Sequence, residues 1–244
     1  MINKDLNLRE LKYQFLKNGI VTIEDFLIEP YAEELWSHLD SMPLDWWCVS
    51  SRPAVDRDMH ITRWLDENEE YIAESSQRAR AAFGEGVFSY IFRRTNDDHV
   101  DGCACKECQF REDVVSEEIV GFLDYITGYK VTRTNELFAS WYDEGDFLSP
   151  HSDGPNGVLG FVYNLSKNWH PHYGGNLHFQ DKMNEDLIQQ INVPKFNTLT
   201  MFDLATTQGH MHFVSEVVRN VPSKRLAMTG WWGQGENKDT IKYY

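Results

Sequence analysis

Apolar residues recur at helical spacing in the first third of the chain. The first such stripe runs from Leu8 to Leu16 and ends at Gly19, a residue type favoured just past the C-terminus of a helix. The same spacing predicts further helices over residues 31–39, 66–83 and 116–126. The pattern therefore predicts a mainly helical segment that extends to about residue 128.

Beyond residue 128 the pattern changes to short runs of aromatic, Val and Thr residues, separated by Gly, Asn, Asp and Pro. These runs cover residues 131–142, 158–165, 176–179, 198–202, 213–218 and 225–232. With earlier runs at 19–23 and 87–93 they predict about eight strands, a number typical of a sandwich, jelly roll or barrel. We therefore expect one domain over residues 1–244, mainly β with flanking helices. Its jelly-roll core lies mostly within residues 131–233, and the N-terminal helices pack outside it.

Composition narrows the class of protein. Hydrophobic residues make up 41% and aromatic residues 14% of the 244 residues, which is enough for a sizeable core and argues against general disorder. The net charge of −15 disfavours nucleic-acid and anionic-membrane binding, since phosphate contacts need clustered cations. Neither an apolar leader segment nor an apolar run of about 20 residues is found. We therefore expect a cytoplasmic protein without a membrane partner.

A His-x-Asp pair can place two metal ligands on one side of an extended segment, since residues two apart share a face. Three such pairs occur: His38/Asp40, His99/Asp101 and His151/Asp153. The first lies in a predicted helix, where residues two apart diverge by about 200°. The third lies between a predicted strand and a Gly-Pro-Asn-Gly turn, the kind of junction where barrel sites form.

A third ligand and an anion site are predicted further along the chain. Two His and one carboxylate make the facial triad of non-haem Fe(II) oxygenases. His210 and His212 are the candidates for the second His, and His212 opens a predicted strand. In the final strand, period 2 puts Arg225 and Thr229 on one face. A cation inside a barrel needs an anionic partner, which a dicarboxylate co-substrate would supply.

A cysteine cluster forms a second candidate metal site. His99, Cys103, Cys105 and Cys108 have the residue types of a structural Cys3His zinc site, although their spacing is tighter than that of a usual zinc ribbon. The alternative is an exposed loop of reduced thiols between a strand and a helix.

Residues 137–232 resemble the prolyl-4-hydroxylase-like branch of the iron(II)/2-oxoglutarate-dependent oxygenases. The matching motifs are Tyr-Asp-Glu-Gly-Asp-Phe-Leu-Ser-Pro-His-Ser-Asp (142–153), Val-Tyr-Asn-Leu-Ser-Lys-Asn-Trp (162–169), Gly-Gly-Asn-Leu-His-Phe (174–179), Pro-Lys-Phe-Asn-Thr-Leu-Thr-Met-Phe-Asp (194–203), His-Phe-Val-Ser-Glu-Val (212–217) and Arg-Leu-Ala-Met-Thr-Gly-Trp-Trp (225–232). Each motif alone is weak evidence, but the ordered set is specific. The resemblance implies the jelly-roll variant known as the double-stranded β-helix.

The resemblance also implies a set of site residues. The iron ligands are His151, Asp153 and His212. The implied co-substrate residues are Arg225, which grips 2-oxoglutarate, with Thr229 nearby and Tyr142 lining the pocket. Many relatives have a Tyr that bonds the co-substrate on the strand after the His-x-Asp turn. Here Asn164 occupies that position, and a shift of one residue in the alignment would place Tyr163 there instead.

The function implied by the resemblance is hydroxylation of an unactivated C–H bond with Fe(II), 2-oxoglutarate and O2, with succinate and CO2 as co-products. Ascorbate is a candidate reductant. The expected substrate is a prolyl or other amino-acid side chain, in a peptide, a protein or a free amino acid, and no nucleic acid is expected as a partner. Two alternatives remain: a non-catalytic jelly-roll protein that binds or senses a metal, and an oxygenase that acts on another small molecule.

Overall fold

The computed structural model of the chain describes residues 1–52, 61–64, 69–95, 102–205, 210–218 and 220–235. Five helices lie within these ranges: α1 (Leu8–Asn18), α2 (Glu29–Asp40), α3 (Glu69–Gly84), α4 (Lys106–Asp113) and α5 (Glu117–Thr127). The four helices predicted by apolar spacing are present as α1, α2, α3 and α5. Both α1 and α5 end at a glycine in the left-handed conformation, Gly19 (φ 68°) and Gly128 (φ 78°), as is usual for a helix C-terminus.

Within the same described ranges, twelve strands form one antiparallel sheet. The strands are β1 (Ile20–Ile23), β2 (Trp47–Arg52), β3 (Ile61–Trp64), β4 (Tyr90–Thr95), β5 (Arg133–Tyr142), β6 (Phe147–His151), β7 (Leu159–Asn164), β8 (Leu177–Gln180), β9 (Ile188–Asn192), β10 (Thr198–Asp203), β11 (His212–Val214) and β12 (Arg225–Gly233). The eight predicted strands are all among them. The sequence pattern missed β2, β3, β6 and β9.

The sheet has two halves joined by one strand. One half has the order β1-β10-β7-β12-β5 and the other has the order β6-β11-β8-β9. Strand β4 pairs with β5 at its C-terminal end and with β6 at its N-terminal end, and it also pairs with β2. The halves meet inside, where Phe179 of β8 packs edge-on against Phe202 of β10 with ring centroids 5.2 Å apart. The predicted jelly roll is confirmed.

The larger half of the sheet is buried on both faces. Its outer face packs against α1, α2, α4 and α5, and residues such as Phe161, Met201 and Met228 belong to this outer core. Its inner face contributes Val162, Phe202 and other residues to a second core between the halves. The alternation of side chains along each strand therefore separates helix-packing residues from residues that face the barrel interior.

The Cys-rich segment differs from the prediction. The sequence predicted a loop there, but α4 follows Cys105 directly and docks on the outer core. The helix was missed because its eight residues, KECQFRED, contain one large apolar side chain, Phe110, and so show no apolar stripe. Phe110 is 2% exposed and stacks on Tyr163 of β7 at 5.6 Å. Glu107 is also buried, where its Oε1 accepts hydrogen bonds from Thr95 and Arg111.

Two of the missed strands, β6 and β9, lack a clear strand pattern for physical reasons. Strand β6, with the sequence FLSPH, is short and contains a proline, which weakens the strand pattern. Strand β9 has one buried residue, Asn192, and so lacks a hydrophobic face. Among the described helices, none is long and apolar enough to cross a membrane.

Replacing Phe110 with Ala should lower the free energy of unfolding by about 3–5 kcal/mol, because the substitution removes a buried ring and leaves a cavity between α4 and β7. Urea titration followed by circular dichroism measures the change. The matched control is Tyr13→Ala, which removes an aromatic ring from a helix position that is 60% exposed and should change stability by less than about 0.5 kcal/mol. Equal effects of the two substitutions would contradict the docked position of α4.

Candidate functional site

Three side chains with metal-ligating atoms meet where β6 and β11 run side by side. His151 is the last residue of β6, and His212 is the first residue of β11. The two residues are direct cross-strand partners, which brings their ring centroids to 4.3 Å. Asp153 follows β6 by two residues, and one ligand atom from each of the three lies within 4.8 Å of the others. Strand pairing therefore assembles a His-Asp-His group from distant parts of the sequence.

Hydrogen bonds to the backbone orient both imidazoles. Nδ1 of His151 lies 3.0 Å from the carbonyl of Ser149, and Nδ1 of His212 lies 2.8 Å from the carbonyl of His210. A carbonyl can only accept, so each Nδ1 must be the protonated nitrogen. This tautomer leaves the Nε2 lone pair of each ring pointing into the site. Backbone support of this kind is usual for histidines that bind metals.

The facing atoms of these three side chains are all hydrogen-bond acceptors. Nε2 of His151 is 3.3 Å from Oδ1 of Asp153, and Nε2 of His212 is 3.5 Å from its Oδ2. Such acceptors repel one another unless a cation or a proton lies between them. Metal–ligand bonds of about 2.1 Å place neighbouring ligands of an octahedron about 3 Å apart, which is close to the observed spacing. The donor set therefore fits a divalent metal ion and leaves the remaining positions open.

The protonation states favour metal binding as well. Burial, followed by the nearby His151, lowers the pKa of His212 to about 4, so this ring is neutral near pH 7. Burial opposes ionisation of Asp153, but the two imidazoles and a hydrogen bond from Trp231 outweigh it and lower the pKa of this carboxyl to about 2. The group therefore offers a neutral nitrogen from His212 and a carboxylate from Asp153.

Aromatic rings surround the His-Asp-His group. Phe88 stacks on His151 with ring centroids 5.1 Å apart, and Phe202 lies 4.9 Å from His212. The indole of Trp231 lies near Asp153 and helps to lower the pKa of its carboxyl. The next residue, Trp232, is buried in the outer core.

A buried guanidinium faces the same barrel interior from the larger half of the sheet. Arg225 opens β12 and is 2% exposed. Its Nε donates a hydrogen bond of 2.8 Å to the carbonyl of Gly175, and its guanidinium lies 4.3 Å from the centre of the Tyr142 ring. No carboxylate of the described residues forms an ion pair with it, although an isolated buried charge is costly. The position is therefore suited to an anionic ligand.

The Gly-Gly motif explains how Arg225 is held. A Cβ at Gly175 would lie 3.3 Å from the Arg225 Cδ, and a Cβ at Gly174 would lie only 1.9 Å from the Glu216 carbonyl oxygen. Both glycines also have positive φ angles, 72° and 64°. In the sequence analysis this motif served only as part of the family resemblance. Its role as the backbone support of Arg225 was missed.

Several other predicted residues lie on this inner face. Tyr142 is the cross-strand partner of Arg225, and Thr229 lies four residues further along β12. The Thr229 hydroxyl is 3.3 Å from that of Ser140, a residue that sequence reasoning missed. Because Ser140 alternates with the apolar residues of β5, its place on the inner face could have been found from strand period alone.

The structure distinguishes Asn164 from Tyr163. Asn164 is paired with Ala227 of β12, on the inner face, and its Oδ1 is buried without a hydrogen-bond partner among the described residues. Tyr163 points to the outer core, where its hydroxyl donates to Oδ1 of Asn197 at 2.8 Å. A shift of one residue would therefore bring in a side chain from the wrong face of the sheet.

The cysteine cluster lies on the outer side of the sheet, with α4. Cys103, Cys105 and Cys108 each bring a sulfur within 4.8 Å of the others. His99, the fourth residue of the predicted zinc site, lies outside the described residues.

Comparison with known proteins points to one family. Residues 137–233 match the family model described as the 2OG-Fe(II) oxygenase superfamily, which covers the residues from β5 to the end of β12. No protein of curated function matches the chain.

Solved structures share the fold over nearly the whole chain. An oxidoreductase of the 2OG-Fe(II) oxygenase family from Burkholderia pseudomallei has a TM-score of 0.61 at 13% identity, covering 98% of this chain and 96% of its own. A prolyl-4-hydroxylase from Pseudomonas putida has a TM-score of 0.55 at 17% identity, covering 93% and 100%. A prolyl hydroxylase from Trichoplax adhaerens, solved with a peptide fragment of a hypoxia-inducible-factor oxygen degradation domain, has a TM-score of 0.55 at 16% identity, covering 95% and 94%.

Replacing Trp231 with Phe should weaken divalent-metal binding by about tenfold, since the substitution removes the indole N–H that favours the ionised carboxylate of Asp153 while keeping an aromatic ring. Titration with Mn(II), followed by the electron paramagnetic resonance signal of the free ion, measures the dissociation constant. Trp46→Phe, at a 45% exposed position away from the site, is the control and should leave the constant within about twofold. An unchanged constant in the Trp231 variant would show that the indole does not support the carboxylate.

Proposed function

Since the chain belongs to the 2OG-Fe(II) oxygenase superfamily and is a 2-oxoglutarate-dependent dioxygenase, we propose that it hydroxylates an unactivated C–H bond of an amino-acid side chain. A prolyl residue in a peptide or protein is the first candidate substrate, and a free amino acid is the second. The observation behind the proposal is the presence, in one barrel interior, of a His-Asp-His group and a buried arginine that has no carboxylate partner among the described residues.

In this proposal the three metal-ligating side chains bind the iron together. Nε2 of His151, Nε2 of His212 and a carboxylate oxygen of Asp153 would hold Fe(II). Bound Fe(II) and 2-oxoglutarate supply the activation of O2 and the cleavage of the substrate C–H bond, with succinate and CO2 as co-products. The carbonyls of Ser149 and His210 keep the two rings in the tautomer that exposes Nε2. The indole of Trp231 would help to keep the Asp153 carboxylate ionised.

Arg225 would bind the far carboxylate of 2-oxoglutarate. A guanidinium fork binds a carboxylate through two parallel hydrogen bonds, and burial strengthens such a pair. Because the Nε–H of Arg225 already donates to the Gly175 carbonyl, the two terminal nitrogens of the guanidinium are available to the co-substrate. The hydroxyls of Thr229 and Ser140 lie on the same face and would add neutral hydrogen bonds. Tyr142, buried beneath the guanidinium, excludes water from this end of the pocket.

Asn164 would take the place of the tyrosine found in many relatives. Its buried amide can donate to a carboxylate through Nδ2, whose present hydrogen bond to the Thr198 carbonyl is long, at 3.5 Å. The orphaned Oδ1 supports this assignment, since a buried acceptor without a partner is costly unless a ligand or water satisfies it.

The aromatic residues near His151 support a side chain such as proline as the substrate. Phe88, half-buried, stacks on His151, and Tyr90 packs against both Phe88 and Phe92. Flat apolar rings suit a compact apolar ring such as pyrrolidine. The fold neighbours from Pseudomonas putida and Trichoplax adhaerens are prolyl hydroxylases, which supports the same choice.

A non-catalytic metal-binding or sensor protein is less well supported. Such a protein would need the His-Asp-His group but no buried guanidinium beside it. An anionic ligand bound there would offset the cost of burying Arg225, which has no carboxylate partner among the described residues.

The enzyme should form succinate from 2-oxoglutarate when supplied with Fe(II), O2 and ascorbate, and a proline-containing peptide or free amino acid should gain the mass of one oxygen. His151→Ala should reduce both products to background, because it removes a metal ligand. His178→Ala is the matched control, since this histidine lies on β8 and stacks on Phe213 at 4.5 Å, and its rates should stay within about twofold. Mass spectrometry follows both products. Full succinate formation by the His151 variant would contradict the proposal.

Arg225→Lys should raise the KM for 2-oxoglutarate by about 10- to 100-fold, because lysine keeps the charge but loses the planar fork, and hydrogen bonds to charged groups contribute about 1.5–3 kcal/mol. The Mn(II) dissociation constant should stay unchanged, since Arg225 does not touch the metal ligands. Initial rates over a range of 2-oxoglutarate concentrations give KM. Arg80→Lys, on the outer surface against Glu216, is the control. A normal KM for the Arg225 variant would assign the co-substrate to another cation.

A further inference from the structure

Three cysteine sulfurs converge at the turn that leads into α4. The sequence Cys103-Ala-Cys105-Lys-Glu-Cys108 places two cysteines on the turn and the third in the first turn of the helix. Their Sγ atoms all lie within 4.8 Å of one another. A tetrahedral zinc ion with bonds of about 2.3 Å to sulfur holds its thiolates about 3.8 Å apart. The three sulfurs are therefore already close to the spacing that one ion would require.

The backbone of this turn is arranged around the sulfur atoms. Cys105 is the N-cap residue of α4, and its Sγ accepts a hydrogen bond from the backbone N–H of Cys108 at 3.4 Å. A negative sulfur accepts such a bond more strongly than a neutral thiol does. The N-terminus of a helix also stabilises thiolates through its partial positive charge. Gly102 precedes the cluster with a positive φ of 78°, which lets the chain turn sharply into Cys103.

The rest of α4 fixes the position of the cluster. Phe110 is inserted between the sheet and the other helices, and Glu107 is held by Thr95 and Arg111. Lys106 pairs with Glu34 of α2 on the outside. The two cysteines nearest the helix are therefore carried by an element that is anchored independently of any metal.

We propose that Cys103, Cys105 and Cys108 bind one structural zinc ion as thiolates. Each of the three thiols loses its proton when it binds, so three protons are released and the sulfurs are not oxidised. Water or a further side chain completes the tetrahedron. The ion fastens the turn between β4 and α4 to the first turn of the helix. Soft thiolates favour zinc, whereas the nitrogen and oxygen ligands of the His-Asp-His group suit iron, so the two sites hold different metals.

This zinc site is independent of the proposed oxygenase chemistry. The cysteines lie with α4 on the outer side of the sheet, and none belongs to the barrel interior that holds Arg225 and the His-Asp-His group. A protein without the zinc could still turn over 2-oxoglutarate, and a protein without iron could still hold zinc.

Metal analysis of the full chain tests the proposal. The wild-type protein, produced with zinc and dialysed, should contain about one zinc ion per chain by plasma mass spectrometry. The double variant Cys105→Ser/Cys108→Ser should lose at least 90% of it. Cys48→Ser is the matched control, because Cys48 lies in β2 with its Sγ against the Arg94 carbonyl, and it should keep its zinc. His151→Ala should also keep its zinc.

Cobalt substitution identifies the ligands even if the double variant is unstable. Co(II) added to metal-free wild-type protein should produce a thiolate-to-cobalt charge-transfer band, which should persist in His151→Ala and be reduced in the single variant Cys103→Ser. The proposal is overturned if wild-type protein takes up no zinc in vitro, if the cysteine variants hold as much zinc as the wild type, or if zinc is lost with His151 instead. The absence of the charge-transfer band in wild-type protein would also overturn it.

Discussion

The pairing of β6 with β11 is the interaction on which the candidate site depends. His151 and His212 are separated by 60 residues of sequence, and their approach follows from one cross-strand register. A slip of one residue would turn one imidazole to the opposite face. The register is held from both sides, because β11 also pairs with β8, and β6 pairs with β4. The geometry of the candidate metal ligands is thus determined largely by strand pairing.

The larger half of the sheet imposes a second constraint, since it is buried on both faces. Outer residues must be apolar to pack against the helices, while inner residues are free to carry polar groups. In β12 the outer residues Leu226 and Met228 alternate with the inner residues Arg225 and Thr229. This division explains how a chain of net charge −15 provides a buried cationic pocket: the acidic residues stay largely outside, and one guanidinium determines the local sign of the charge.

Most of the site was predictable from sequence because strand period determines which side chains share a face. Arg225 and Thr229 follow from alternation, and His151 and Asp153 follow from their spacing beside a turn. The same rule failed for β6, where a proline weakens the strand pattern, and for α4, which has a single large apolar side chain. The sequence could not predict contacts between the backbone and distant side chains, such as the contact between Gly175 and Arg225. A Gly-Gly pair does not indicate which residue will pack against it.

The pairing of strand β4 affects how the protein unfolds. Its N-terminal residues Tyr90 and Ile91 pair with β6, and its C-terminal residues Arg93 and Arg94 pair with β5, so a strand of six residues contributes to both halves of the barrel. If β4 detaches, both halves of the sheet lose a strand partner at the same time. The amide hydrogens of the two halves should therefore exchange with solvent in a single cooperative opening, whereas the helices on the outer face can fray earlier.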